Sequence, residues 1–256
     1  MNLEINGPRI YFTIPIGGME IRITDTIVSS CVVTVVLCLL CYFLGRNLTK
    51  RPGKRQVIVE KIVSMLYNLV EETMGKHNAK FAPYIGALFA SSIFGTLIST
   101  TGVFRSATAD LSTTATWAIM TTLIVWGSSI RENGFRGWLK GFTEPVVVMT
   151  PMNIISEIAS PVSMAFRHFG NVVGGSVLTT LIYYALAVVS NFVLGWIPNA
   201  FLASIPIFQV GIPAVLSLYF DFFSGAIQAL VFCMLSMVYI GAANPPHPEK
   251  NEESKQ

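Results

Sequence analysis

Residues 26–45 read TIVSSCVVTVVLCLLCYFLG, a run of twenty positions without one formal charge. A bilayer hydrocarbon core about 30 Å thick is spanned by roughly 20 apolar residues of α-helix. A soluble helix needs a polar face, and Val32–Phe43 has almost none. A cleaved signal peptide is disfavoured because Met1–Asp25 lacks a basic leader and the run has full transmembrane length. The stretch therefore predicts a first transmembrane helix.

The rest of the chain repeats this pattern. The 256 residues are 52% hydrophobic and 12% charged, whereas soluble domains carry about 25% charged residues. Long uncharged runs occupy residues 81–104, 111–130, 169–220 and 222–243. These runs predict helices, because in lipid each segment must satisfy its own backbone hydrogen bonds, and the period-2 alternation of a membrane barrel is absent. We therefore expect an all-α membrane protein with about five transmembrane helices and one amphipathic surface helix.

Clustered charges orient these helices. Five basic residues follow the first run: Arg46, Lys50, Arg51, Lys54 and Arg55. The positive-inside rule places this end in the cytoplasm and the N-terminus outside. The expected organisation is an external leader (1–25), a first span (26–45), a cytoplasmic surface helix (52–75), a domain of four membrane helices (81–243) and a polar cytoplasmic tail (244–256). The last two membrane helices would form a long hairpin, with its external turn over residues 195–206.

The segment between the first two runs has its own pattern. Pro52 can open a helix and Gly75 can close it, and between them apolar residues recur at helical spacing, interrupted by charged residues such as Lys61 and Glu71. This favours an amphipathic helix lying on the cytoplasmic membrane surface. A solvent-facing linker helix is the alternative.

Four ionisable residues fall within or beside the last spans: Glu157, Arg167, His168 and Asp221. Such residues are costly in a bilayer and are functional by default, with a structural ion pair as the alternative. Positions three, four or seven apart share a helix face, which defines two polar stripes. The first contains Ser156, Ser160, Ser163, Arg167 and Asn171, and the second contains Ser217, Asp221, Ser224 and Gln228.

Two alternatives apply to single members of these stripes. Each serine could simply bond to its own helix backbone. His168 points about 100° away from Arg167 around the helix axis, so we expect it to be buried and hydrogen-bonded rather than to transfer protons.

At these residues the sequence resembles a known family. The run Phe166-Arg167-His168-Phe169-Gly170-Asn171 is similar to the R-L-F-G-N signature of the a subunit of F-type ATP synthase. The resemblance extends, in order, over about residues 25–243. Its other matching positions are Gln56 and Glu60 in the surface helix, Asp110 and Thr114 before a span, Pro151, Asn153 and Glu157 before the arginine, and Gln228, Ala229 and Tyr239 in the last helix.

The resemblance implies a non-catalytic stator subunit in a bacterial cell membrane, with no cofactor. Its last two helices would pack against a rotating ring of c subunits, each with an ion-binding carboxylate, and Arg167 would separate two offset half-channels for H⁺ or Na⁺. Glu157 and Ser163 would serve the cytoplasmic half-channel, while Ser217, Asp221 and Ser224 would serve the outward one. Asn171 and Gln228 would lie near the arginine. The implied partners are the c-ring, b-type peripheral stalk subunits and the lipid bilayer, and no basic stripe suggests nucleic acid.

Several positions depart from the family pattern. His168 replaces a leucine, Ser176 stands where a carboxylate is common, and Asp221 lies where histidine or glutamate is usual. Ser176 and Asp221 are consistent with one carboxylate lost and one gained on the neighbouring helix. A stand-alone secondary transporter or cation channel is the rival function. It would need its own ion-binding carboxylate, and we find no internal repeat of the kind that builds many transporters.

Overall fold

The computed structural model describes residues 10–16, 19–46, 48–101, 106–144, 146–194, 215 and 219–246. Within that part the chain is mostly helical, in agreement with the predicted all-α membrane class. Its helices are α1 (Asp25–Gly45), α2 (Lys54–Met74), α3 (Ala82–Leu97), α4 (Leu111–Gly141), α5 (Thr150–Leu194) and α6 (Gly225–Ala243). The predicted turn over residues 195–206, most of the tail and residues 1–9 lie outside the described part.

A β-hairpin precedes α1, and the sequence analysis missed it. Strand β1 (Ile10–Ile16) pairs antiparallel with β2 (Met19–Thr24), with Ile14 opposite Ile21. The leader was expected to be only a polar segment, because its charges are scattered and it contains no long apolar run. The signal was a glycine pair between two short runs of alternating residues, which is typical of a hairpin.

The first helix coincides with the predicted first span. Its N-terminal end is buried over Asp25, Thr26 and Ser29, whereas the large side chains farther along, such as Leu39 and Phe43, are exposed. An apolar helix with so little covered surface is suited to lipid contact.

Helix α2 occupies the predicted amphipathic segment. It ends at Gly75, whose φ of 84° is favoured in glycine, and whose N–H bonds the Glu71 carbonyl at 3.0 Å. Val70 and Met74 are buried, whereas Ile62 on another face is 62% exposed. The location of α2 on the cytoplasmic membrane surface stays a prediction.

The next two helices differ in length from the predicted spans. Helix α3 covers only 16 residues and continues as a 3₁₀ turn over Ile98–Thr101, because serine, threonine and glycine crowd its end and favour helix less than apolar straight chains. Helix α4 continues to Gly141, past the predicted end at Ile130. The charges after Ile130 stop the apolar run but not the helix, which breaks instead at Gly134, where φ is 69°.

Three helical segments of the described chain are long and apolar enough to cross a membrane: Asp25–Gly45, Val147–Ser190 and Phe222–Ala243. Their number is smaller than the predicted five, and α3 with its 16 residues is the clearest reason. A count of five membrane crossings therefore stays a prediction. Helix α5 alone has 45 residues, about 67 Å of helix.

The core forms around α6. Phe232, Met237 and Ile240 are almost completely buried, together with Ile85 of α3 and Val70 of α2. This packing places α6 at the centre of the described bundle, in contact with α2, α3, α4 and α5.

A buried polar cluster holds the C-terminal end of α6. The side-chain amide of Asn78 donates to the Asn244 carbonyl at 3.1 Å, the Asn244 amide bonds back to Asn78 Oδ1, and His77 Nε2 donates to the same Asn244 carbonyl at 2.7 Å. Asn78 is fully buried. These bonds tie the end of α6 to the turn between α2 and α3.

Candidate functional site

Helices α5 and α6 form an antiparallel pair. His168 packs edge-on against Phe232 of α6 with ring centroids 5.5 Å apart, and farther along α5 Asn171 meets Ser224, the residue directly before α6. The residue numbers of these contacts rise along α5 while they fall along the second segment, so the two helices run antiparallel. One helical turn from the Asn171–Ser224 contact, this register places Arg167 and Gln228 at the same level.

Asn171 and Ser224 make a reciprocal bond across this pair. Ser224 Oγ donates to Asn171 Oδ1 at 2.9 Å, and Asn171 Nδ2 donates to the Ser224 carbonyl at 3.2 Å. The structure therefore joins one residue from each predicted polar stripe. The Ser224 hydroxyl bonds across the helix pair. The alternative that a serine bonds only to the backbone of its own helix therefore does not apply to it.

Arg167 lies on the exposed side of α5. Its guanidinium has no hydrogen bond or ion pair to any described residue. Gln228 is 8% exposed, and its Nε2 has no partner within the described part. At this shared level, Arg167 therefore presents an accessible cation, and Gln228 presents a buried amide nitrogen without a described partner.

The glycines after Arg167 leave an open surface. A Cβ placed on Gly170 or Gly174 would meet no described atom within 4 Å beyond its own stretch of helix, whereas Gly175 is buried. With respect to the described residues, the face of α5 that carries Arg167 is therefore smooth and uncovered, as a close approach by another helix requires.

His168 faces the opposite way and is 1% exposed. Its Nε2 lies 3.2 Å from Ser92 Oγ, and its ring meets Trp117 and Phe232 edge-on. The expectation of a buried, hydrogen-bonded histidine is confirmed.

A polar cavity of about 480 Å³ opens beside the N-terminal part of α5. Ser156, Glu157 and Ser160 line it, and Tyr239 contributes from α6. It reaches Met164, about one turn before Arg167. Ser163 is exposed but is not in its lining, so the structure brings only part of the first stripe to this cavity.

Glu157 has a specific partner in this region. Trp126 of α4 donates its indole N–H to Glu157 Oε1 at 2.5 Å. The sequence analysis had no means of finding this contact, because the two residues are 31 positions apart and belong to different helices.

Two serines use their hydroxyls on their own helix. Ser160 donates to the Ser156 carbonyl at 2.8 Å, and Ser176 donates to the Val173 carbonyl at 2.8 Å. Since Ser160 also lines the cavity, its backbone bond does not remove it from the site. Ser176 is exposed, and no described contact links it to the other predicted residues.

The outward half of the predicted site is only partly described. Asp221 belongs to a π-helical turn, Tyr219–Ser224, that directly precedes α6, but its side chain and the whole of Ser217 lie outside the described residues. Such turns are frequent at functional sites.

A second group of polar residues, beyond the predicted stripes, lies at the N-terminal end of α1 and beside the C-terminal end of α3. Thr26 donates to Asp110 Oδ2 at 2.8 Å, and Ser106 Oγ lies 2.8 Å from Thr108 Oγ1. Thr26, Thr108 and Ser106 are buried. The sequence carried a signal for this group in the Ser106–Thr114 motif, but the motif alone did not place it against α1.

The register of α5 and α6 gives a direct prediction. Cysteines at positions 171 and 224 of a chain without its native cysteines should form a disulfide or join through a short reagent, because the native side chains are in hydrogen-bond contact. The product is measured as a mobility shift in non-reducing gels. A pair at 178 and 224, about two turns farther along α5, is the control and should not join. Equal yields for both pairs would contradict this register.

The geometry defines a class of protein: a helical membrane protein whose apolar helix α5 carries an exposed arginine about one turn from an interhelical cavity with polar lining residues. Comparison with known proteins agrees. The family described as ATP synthase A chain matches residues 27–241. Three relatives are ATP synthase subunit a, sodium ion specific, of Propionigenium modestum (32% identity, covering 92% of this chain and 84% of the relative) and the ATP synthase subunits a of Moorella thermoacetica (29%, 86% and 90%) and Legionella pneumophila (30%, 94% and 95%).

The chain belongs to the ATP synthase subunit a family. It is therefore a non-catalytic, multi-pass membrane subunit of the bacterial F0 sector that takes part in ion translocation with the c-ring, and ATP chemistry lies on other subunits.

Proposed function

We propose that this chain supplies two offset half-channels that load and unload the carboxylates of the c-ring, with Arg167 separating them. The observation that carries this proposal is the state of Arg167, a charged side chain on an apolar, candidate membrane-spanning helix that is exposed and has no described partner within its own chain. A permanent charge in a bilayer needs a counter-charge or water. The ring carboxylate is the counter-charge that this family offers.

Arginine suits the divide because its guanidinium stays protonated at any relevant pH. It favours the ionised form of a carboxylate that approaches it, and so expels that site's cation. It also repels a cation that would otherwise pass directly from one half-channel to the other. Because it cannot lose its own proton, it cannot relay protons itself.

The polar cavity beside α5 supports the cytoplasmic half-channel. Its lining includes hydroxyl and carboxylate oxygens from Ser156, Glu157 and Ser160. A carboxylate can bind a proton, and oxygens are the ligands that hard cations prefer. Ser163, exposed one turn before Arg167, would continue this path to the ring.

On the outward side we assign Ser217, Asp221 and Ser224 to the pathway, with Asn171 held by Ser224 and Gln228 level with Arg167. Ser176 would lie beside this path on α5. The buried Thr26–Asp110 bond and its neighbours offer a polar route from α1 towards the same region. Selection between H⁺ and Na⁺ would rest with the ring carboxylate.

The proposed orientation follows the basic cluster after α1, which places the N-terminal hairpin outside and the C-terminus in the cytoplasm. The exposed apolar surfaces of α1 would meet lipid and b-type peripheral stalk subunits. A stand-alone transporter or channel remains the rival, and the absence of any described carboxylate paired with Arg167 favours the ring-dependent function.

Sided labelling tests the two half-channels. Single cysteines at positions 156 and 217 should be reached by a membrane-impermeant thiol reagent or by silver from opposite sides, position 156 from the cytoplasm and position 217 from outside, and each reaction should slow ion flow. A cysteine at position 39, on an exposed lipid-facing part of α1, is the control and should leave flow unchanged. Reaction of both positions from one side only would contradict offset half-channels.

A further inference from the structure

The Trp126–Glu157 pair stands where three cavities meet. Both residues line the polar cavity of about 480 Å³. Both also line an apolar crevice of about 290 Å³ between α4 and α5 and a second crevice of about 320 Å³ beside Trp138 and Phe142. The pair is therefore the wall that polar and apolar spaces share.

The carboxylate of Glu157 has one described hydrogen bond, from the Trp126 indole at 2.5 Å to Oε1. The other ionisable side chains that line the polar cavity are Glu144 and Tyr239. Glu144 follows α4 and is paired with the exposed Lys140 at the end of that helix, Nζ to Oε1 3.8 Å. Among the described residues, no cation pairs with Glu157, so the indole N–H is the group that fixes the direction of its carboxylate.

The position of Trp126 is itself fixed by a bend in α4. Trp138 packs edge-on against Trp126 with centroids 6.0 Å apart, and Phe142 packs against Trp138 at 5.1 Å. A straight helix would separate positions 126 and 138 by about 18 Å along its axis. The break at Gly134, with φ 69° and ψ 164°, brings the two rings together and supports the indole from behind.

We propose that Trp126 is a positioning residue for ion transfer through Glu157. Its N–H holds Oε1 at the cavity wall, so that Oε2 is directed to the polar cavity and not to the two apolar crevices. The indole ring closes the same wall and keeps water in the polar cavity. This inference rests on the proposed cytoplasmic half-channel and adds the residue that orients its carboxylate.

A double-mutant cycle in the intact ATP synthase complex tests this role. The measured quantity is the rate of ATP-driven ion pumping into vesicles, normalised to assembled complex. Trp126→Phe keeps a ring in the wall but removes the donor, and should slow pumping roughly tenfold, the size expected for losing one hydrogen bond to a charged group. Trp126→His retains a ring N–H and should recover most of that loss.

Repeating the substitution in the Glu157→Gln background separates a positioning role of Trp126 from an effect on general stability. In Glu157→Gln, Trp126→Phe should cause no further loss, because coupled residues give non-additive effects. Trp117→Phe is the matched control on the same helix. It keeps the edge-on contacts of that ring with His168 and Phe232 and should pump at the wild-type rate.

Different outcomes overturn different statements. Equal slowing by Trp126→Phe in both backgrounds, or a Trp126→His variant as slow as Trp126→Phe, would show that the indole acts only on stability. Normal pumping by Trp126→Phe while Glu157→Gln is slow would overturn the positioning role alone. Normal pumping by Glu157→Gln would instead remove Glu157 from the cytoplasmic half-channel itself.

Discussion

Replacing Arg167 by alanine is expected to abolish ion-coupled ATP synthesis and ATP-driven pumping while the complex still assembles. The side chain is exposed and has no hydrogen bond or ion pair to a described residue, so within the described part of the subunit its removal leaves no buried hole and breaks no such bond. In the proposed mechanism, what is lost is the fixed positive charge that favours the ionised form of the ring carboxylate. Loss of one preorganised electrostatic group costs catalytic systems about 10²–10³-fold, and we expect a reduction of at least that size. The measurement is the ion gradient that vesicles build with ATP.

Arg167→Lys should fail as well, because a desolvated lysine can lose its proton and has no planar fork for a carboxylate. Arg136→Ala is the matched control, since Arg136 is also exposed but lies on α4 beyond the break at Gly134. It should build a normal gradient. If Arg167→Ala vesicles build a normal gradient as well, the separation of two half-channels by Arg167 is wrong.

Replacing Asp221 by asparagine is expected to slow ion flow by about tenfold or more without loss of assembly. Asp221 is the one formal charge between Phe169 and Met237, and it lies in the π-helical turn that leads to Ser224 and its bond with Asn171. Asparagine keeps the shape and hydrogen bonds of the side chain but cannot carry a proton or a full negative charge. Flow is measured in vesicles over a range of external ion concentration and pH.

Asp221→Glu and Asp221→His should retain substantial flow, because either side chain can titrate. The comparison variant is Asp110→Asn, which tests the polar route beside α1 separately. Asp110 accepts from Thr26 and caps α4 through Ser112, and asparagine is an equally good N-cap. A wild-type rate in Asp221→Asn together with a slow Asp110→Asn would mean that the outward ion path runs beside α1 and not through Asp221.

The membrane class could be predicted because it depends on composition alone. An uncharged run of twenty residues has few alternatives to a transmembrane helix, and α1 begins within one residue of its predicted start. The limits of α3 and α4 could not be predicted in the same way. The end of α3 depends on backbone hydrogen bonding, and the course of α4 depends on the conformation of Gly134. Neither can be read from the point at which an apolar run ends.

The same distinction applies to the site. Helical spacing grouped Arg167 with its stripe and predicted that His168 faces away from it, since angles around one helix follow from sequence. The partners across helices are different. Neither the Asn171–Ser224 bond nor the Trp126–Glu157 bond could be derived, because each depends on the rotation and register of two packed helices. The hairpin before α1 was missed for a simpler reason, since its alternating runs are short and lie in a segment with scattered charges.

The buried cluster of His77, Asn78 and Asn244 has a mechanical consequence. In the proposed arrangement, a turning ring would exert drag along α5 and α6, and that load would have to reach helices that do not touch the ring. Several buried hydrogen bonds fasten the end of α6 to the turn between α2 and α3. They act in parallel, so a shear force on α6 is shared among them rather than borne by one. Through these bonds, torque on α6 would pass into α2 and α3.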